Sequence, residues 1–422
     1  MHFNLKFGSK TLPLELAESN ILQVVLPRSI PPLSDPFAAV NCVLEHPAST
    51  PPLLEMLKDR RPHRVVIVVN DITRPTPYSV MMPPLLKTLE NAGVKDEEIT
   101  MVTATGIHTL HTPEENALVY GKGLCERYKI VSHDATDAAN LVYKGKLPSG
   151  YDFWLNKLVD ESDFLITIGV VMPHYFAGFS GGRKSILPGV SGKETVQKNH
   201  ARMVELMDNL PQIRKNPISL EMIQAARIAG VDFILNVVTD DDGQVVDVVA
   251  GDLEAAWYKA VETSESMYII PITQKADITI SSACGFPRDI NLYQSQKALD
   301  HADKATKPGG TIIIVAECRE GYGESVFEKF MKSGLSAEEI MAEVKSHFVM
   351  GGHKAYGFAK VASEKKIIFV SNMSEEETRS LFARKAATVQ EAIEMALADQ
   401  GNDAKFTVLP EGSLTVPSMS AE

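Results

Sequence analysis

Thr167-Ile-Gly-Val-Val-Met-Pro-His-Tyr-Phe-Ala-Gly-Phe-Ser-Gly-Gly-Arg-Lys-Ser-Ile-Leu-Pro-Gly-Val-Ser-Gly-Lys-Glu-Thr-Val-Gln-Lys-Asn-His200 decides how the rest of the chain is read. It continues a run from Phe164 to Val171 that is apolar apart from Thr167, of the kind that fills a strand buried on both faces. The chain then passes five glycines with almost no regular periodicity. Tyr175, Phe176, Phe179, Ile186, Leu187 and Val190 make the loop too apolar to be disordered. Long loops inside compact domains that are not disordered are usually functional. His174, Lys184 and His200 sit within it, so it reads as a loop folded around a ligand.

Upstream, the same design occurs twice more. Arg64 to Asp71 is a β-branched run ending in Asp71-Ile-Thr-Arg-Pro-Thr-Pro77, followed by a helix to about Ala92. Glu98 to Ala104 is another, ending in Thr105-Gly-Ile-His-Thr-Leu-His-Thr-Pro113, with a helix from Pro113. Repeated strand, polar loop and helix predict a parallel sheet whose ligands gather at the carboxyl ends of its strands. Asp71 to Arg74, His108 and His174 each follow a strand directly, so they are expected to converge on one crevice.

Alternating segments at Phe3–Phe7 and Leu12–Leu16 predict an opening hairpin. Phe233 to Val238 and Val245 to Val249 predict another, and Pro271 to Lys275 reads as a linker. A second alternating unit follows, with strands at 277–282, 311–316 and 367–370 and helices at 292–305, 324–346 and 375–399. The expected architecture is α/β: two α/β domains with largely parallel sheets and the active site in the cleft between them. The first domain is expected to span 1–270, completed by a returning strand within 405–422, and the second 276–404.

The 422 residues carry a net charge of -12, which argues against nucleic acid or an anionic membrane surface as the main partner. Four scattered cysteines without a CxxC pair fit a reduced cytoplasmic chain, and no apolar run approaches membrane-spanning length. The amino terminus alternates like a strand and does not resemble a signal peptide.

The chemistry-bearing positions stand out by their place. His108 and His174 follow strand ends beside glycine, where two imidazoles in one cleft make an acid/base pair acting on opposite faces of a substrate. His111 is either the partner of the second nitrogen of His108 or solvated. Arg74, stiffened by Pro75, suits bidentate binding of a carboxylate or phosphate, and Asp71 is placed to hold that Arg, a His or a hydroxyl. Ser180-Gly-Gly-Arg-Lys-Ser185 has the composition of a phosphate loop without Walker A spacing. The adjacent Arg183 and partial desolvation would lower the pKa of Lys184 and make its amine nucleophilic, the alternative being a phosphate-pairing lysine. Tyr293 and Lys297 share one helix face with Gln294 beside them. They are either closed over a small anion or an ordinary first turn.

These residues together resemble the nickel-dependent lactate racemase family of 2-hydroxyacid racemases and epimerases. The matching segments are DITRPTP (71–77), TGIHTLHTPEE (105–115), MPHYFAGFSGGRKSILPGVSG (172–192), NH (199–200) and NLYQSQK (291–297), with GGHKAY (351–356) also familial. The resemblance implies a nickel-pincer nucleotide (a pyridinium-3,5-bisthiocarboxylic acid mononucleotide nickel complex) tethered through Lys184. It implies that His200 gives the metal an imidazole beside sulfur and carbon ligands from the cofactor. It places the acid/base pair on His108 and His174 and the substrate-carboxylate groups on Arg74 and Lys297, with Asp71, Tyr293 and Gln294 in support. Hydride would leave Cα for the cofactor, give a 2-oxo acid, and return to the other face. Enzymes that make the cofactor are implied as maturation partners.

Two other readings stay open: a Schiff-base enzyme using Lys184 without nickel, and a non-enzymatic nucleotide- or phosphate-binding protein. Tyr356, Phe358 and Phe176 are candidate walls of a pocket for a small or apolar substrate side chain.

Overall fold

The computed structural model describes residues 1–206 and 212–419. The chain forms two compact units, one of Ser29–Glu265 and one of Met1–Arg28 with Ser266–Glu422.

The Ser29–Glu265 unit is built on a six-stranded sheet. Its order is Val245–Gly251, Phe233–Thr239, Phe164–Val170, Val65–Asn70, Ile99–Ala104 and Lys129–Ser132. All neighbours are parallel except the edge pair Val245–Gly251 and Phe233–Thr239. The β-branched runs are central because both their faces are covered. Ile67, Ile166, Ile168 and Leu235 are fully buried and pack with Met81, Leu85 and Leu89 of the helix Tyr78–Asn91. The strands Phe164–Val170, Val65–Asn70 and Ile99–Ala104 are neighbours, so the loops leaving their carboxyl ends are neighbours too.

The other unit carries a six-stranded sheet that is parallel throughout, in the order Ala383–Ala386, Lys366–Val370, Thr306–Val315, Ala276–Ser282, Phe406–Leu409 and Ile21–Val24. The opening hairpin His2–Phe7 and Lys10–Glu15 forms as expected, and it delivers Leu5, Phe7 and Leu14 to the core of this unit.

The domain boundaries expected from the sequence are therefore corrected. Residues 1–28 leave the first domain because Ile21–Val24 pairs with Phe406–Leu409. The strand in 405–422 completes the other unit because Phe406–Leu409 also pairs with Ala276–Ser282; residues 420–422 lie outside the described residues. The expected linker at 271–275 is partly a strand, since Ile269–Ile272 pairs with Val416–Met419. No helix among the described residues is long and apolar enough to cross a membrane.

Candidate active site

Three neighbouring loops of the Ser29–Glu265 unit carry the predicted groups. The first begins at Asp71, whose side chain is only 4 % exposed. Its Oδ1 accepts a hydrogen bond from the Thr73 hydroxyl at 2.7 Å, and its Oδ2 lies 2.7 Å from Nδ1 of His108 on the second loop. Burial alone would raise the Asp71 pKa. The hydrogen bond and charge of His108, the Thr73 hydroxyl and the Arg74 charge outweigh it and hold the carboxyl below its ordinary value. An ionised carboxylate only accepts, so Nδ1 of His108 carries a proton and Nε2 is the nitrogen left to face a substrate. Asp71 thus meets a histidine and a hydroxyl directly and senses the arginine by charge. Arg74 is half-buried, and its Nη1 donates to the Thr73 carbonyl at 3.2 Å.

His111 is not the partner of His108. Its Nε2 accepts from the Ile72 amide at 2.9 Å, and its Nδ1 donates to Oδ1 of Asn116 at 3.1 Å, which ties the first loop to the second. Beneath both loops the Tyr78 hydroxyl accepts from the Asn70 amide at 2.6 Å. The Tyr120 hydroxyl sits 2.8 Å from the Asn70 carbonyl and 2.9 Å from Oγ1 of Thr103. The sequence reading missed this floor; its only signal is a tyrosine in each of the two helices after the strands.

In the third loop Pro173–His174 pairs with Gly178–Phe179, closing a tight hairpin. Nδ1 of His174 accepts a long hydrogen bond from the Ala177 amide at 3.5 Å. His174 stacks on Tyr175 and meets the buried Phe176 ring edge-on at 4.6 Å. The same Phe176 ring lies 4.9 Å from the His200 ring and has the Lys184 ammonium 5.3 Å from its centre. One aromatic ring therefore gathers His174, Lys184 and His200. Phe176 was expected to line a substrate pocket; what it touches is these three groups.

His200 lies in the helix Lys193–Ala201, buried, and its Nδ1 has no hydrogen-bond partner among the described residues. Burial, then the charges of Lys184 and His108, push its pKa down to about 3, so the imidazole is neutral. Arg183 does not act as a second cation at the Lys184 amine. Its guanidinium is fully buried and held by loop carbonyls and Ser219.

The remaining candidates belong to the other unit. The helix Leu292–Ala305 starts at Asn291, whose Oδ1 accepts from the Gln294 amide at 3.1 Å. Tyr293, Gln294 and Lys297 on its first turns are half-buried. Burial, with Glu324 nearby, pushes the Tyr293 phenol up to about 12, so it stays a donor. Tyr356 and Phe358 do not line a pocket as expected. They are 1 % and 0 % exposed, and the Phe358 ring sits 5.5 Å from Phe327 and 6.3 Å from Phe369 inside the core.

Residues 7–209 match the lactate racemase N-terminal domain and 272–416 the lactate racemase C-terminal domain. The chain belongs to the lactate racemase family.

As a family member it is an isomerase. It is 35 % identical over 379 residues to a lactate racemase of Lactiplantibacillus plantarum, covering 87 % of this chain and 88 % of that one. It is 34 % identical over 383 residues to a lactate racemase of Thermoanaerobacterium thermosaccharolyticum, covering 88 % of each. The solved structure described as the lactate racemase apoprotein from the latter organism superposes with a TM-score of 0.93 at 31 % identity, covering 99 % of this chain and all of that one. A Thermotoga maritima protein at 18 % identity and a TM-score of 0.69, covering 92 % of this chain and 99 % of its own, shares the fold. The α/β fold and the family resemblance expected from the sequence both hold.

Proposed function

We propose that this racemase interconverts the enantiomers of a short 2-hydroxy acid, lactate or a close homologue, using His108 and His174 as its acid/base pair. The observation that carries the reading is that both imidazoles stand in loops leaving the carboxyl ends of one parallel sheet, with a buried carboxylate orienting His108. Asp71 fixes the proton of His108 on Nδ1, leaving Nε2 to accept. His174 is held in its tight hairpin against the Phe176 ring. In each direction one imidazole takes the hydroxyl proton and the other, entering the step as imidazolium, returns one, as inversion at a carbon bearing a hydroxyl requires. When the opposite enantiomer is bound, the two exchange roles.

Arg74 would supply a cationic group for the substrate carboxylate, and Lys297, Tyr293 and Gln294 keep the substrate-binding roles that the family resemblance implies. The residues present also fit a nickel-pincer nucleotide. The buried, unpartnered Nδ1 of His200 is the kind of orphan that a metal ion resolves, and its neutral imidazole suits nickel. Lys184 would hold the nucleotide covalently, and Asp71 would lie along its site. No cluster of three or more His, Cys, Asp or Glu that could hold a metal stands together among the described residues. Ligands beyond His200 would come from the nucleotide itself. Such a group supplies a reversible acceptor for the hydrogen on Cα, and the protein orients the acid, excludes water and moves the hydroxyl proton. The reading places the enzyme in the cytoplasm and makes its maturation depend on the enzymes that build the cofactor.

The test is chiroptical. A panel of 2-hydroxy acids is followed by circular dichroism with protein co-produced with the cofactor-making enzymes, together with metal analysis and intact mass. Racemisation with bound nickel and a mass adduct is expected, lost in His108→Ala and His174→Ala. Turnover without nickel would favour the Schiff-base alternative, and neither activity nor adduct would favour a plain binding protein.

A further inference from the structure

Arg183 precedes Lys184 in sequence but points elsewhere. Its Nη1 donates to the Phe179 carbonyl at 2.9 Å and lies 3.4 and 3.3 Å from those of Ser180 and Gly181. Its Nη2 donates to the Ala177 carbonyl at 2.8 Å and to Oγ of Ser219 at 3.0 Å, which Nε also meets at 3.2 Å. The guanidinium plane lies 3.6 Å over the buried Trp257 ring, and Nε1 of that ring donates to the Ser180 carbonyl at 2.8 Å. No carboxylate pairs with Arg183 among the described residues. An unpaired cation buried this deeply is costly; this one holds the backbone of 177–181 in a single shape.

That backbone leads directly to Lys184. The Lys184 amide donates to the Gly181 carbonyl at 3.1 Å, the same oxygen that faces Arg183. Ala177, whose carbonyl takes Nη2, also donates its amide to His174. We infer that Arg183 is the positioning residue for Lys184. Its planar fork gathers the loop carbonyls inward and thereby holds the Lys184 amine at the Phe176 ring, beside His174 and His200. A lysine ammonium is a point charge and cannot reproduce the fork, so charge alone is not enough.

The inference rests on the reading of Lys184 as the attachment residue, but its test does not have to. Site-resolved acylation of lysines in the unloaded protein, read by peptide mass spectrometry, reports the Lys184 amine without any cofactor. Arg183→Lys and Arg183→Met are both expected to raise Lys184 acylation by about tenfold, since the half-buried amine loses its restraint. The exposed Lys87 serves as the internal control and stays unchanged. Trp257→Phe keeps the ring face but loses the hydrogen bond to Ser180, and is expected to show a smaller rise. Thermal melts confirm that each variant is folded at the labelling temperature. If either Arg183 variant is folded and Lys184 acylation stays within about twofold of the parent, the inference is overturned. If both variants fail to fold, the Trp257→Phe and Ser219→Ala proteins decide it by the same criterion.

The mass adduct then separates the two ideas. Lys184→Ala retaining an adduct refutes the attachment reading but leaves the acylation result standing. An unchanged acylation rate with a lost Lys184→Ala adduct refutes only the role of Arg183.

Discussion

Oδ2 of Asp71 and Nδ1 of His108 stand 2.7 Å apart, with the carboxylate buried and the imidazole half open to solvent. The pair joins the ends of two adjacent strands and sets the tautomer of the histidine. Asp71→Asn keeps the shape but presents an amide that no longer fixes the proton. Turnover is expected to fall by about 100-fold to 10,000-fold, with a much smaller change in KM. Steady-state kinetics of the loaded enzyme check this.

The same pair has a pH signature. The folded-state pKa of Asp71 is below its ordinary value. Its contribution to stability is therefore fully present above the unfolded-state pKa and is lost as the pH falls through the folded value. The stability difference between the parent and Asp71→Asn is expected to be larger at pH 5 than at pH 3, measured by urea unfolding.

Lys184 and His200 share the Phe176 ring but are proposed to do different work, and two instruments separate them. Lys184→Ala is expected to lose the covalent mass adduct in an intact-protein spectrum. His200→Ala is expected to keep the adduct while losing nickel by elemental analysis. Loss of both from either variant would show that attachment and metal binding are a single event.

Gly181 has φ +75°, and a Cβ there would meet Oδ1 of Asn236 at 2.5 Å and Cγ2 of Val171 at 2.6 Å. That Asn236 oxygen already accepts from the Gly182 amide at 3.0 Å. Gly181→Ala is expected to destabilise the protein by about 1–3 kcal/mol and to lower the adduct yield, because the displaced loop leads to Lys184. Chemical denaturation and intact mass report the two effects separately.

Phe358 offers the opposite case. Because it packs among core aromatics, Phe358→Ala is expected to cost about 3–5 kcal/mol of stability. The ranking of 2-hydroxy acids should stay as in the parent. A changed ranking in circular dichroism assays would return Phe358 to the substrate pocket.

The strands legible from sequence are those whose both faces are buried, since Val65 to Val69 and Phe164 to Val170 leave no polar residue to confuse the pattern except Thr167 and Gly169. Short edge strands such as Lys129–Ser132 and Ala383–Ala386 carry Lys and Arg on exposed positions and show no strand pattern, and the second falls inside the helical span expected over 375–399. The place of Asp71, His108 and His174 was legible because a strand end fixes where the next residue goes. The orientation of Arg183 and His111 was not. Both are set by partners distant along the chain or by carbonyls, and carbonyls have no sequence signature. Phe358 was misread because an aromatic beside a glycine-rich turn looks the same whether it faces a ligand or the core.

The pairing of Ile21–Val24 with Phe406–Leu409 has a consequence for the order in which the protein is made. At about 5–20 residues per second, the 382 positions separating Val24 from Phe406 take roughly 20–80 s to translate. The segment Ser29–Glu265 is contiguous and has every strand of its own sheet long before then. The nascent chain thus acquires its loops for His108, His174 and Lys184 while Ile21–Val24 still waits for its partner. The opening hairpin and its neighbour are the part of the chain that needs shelter on the ribosome, and the last strands release them from it.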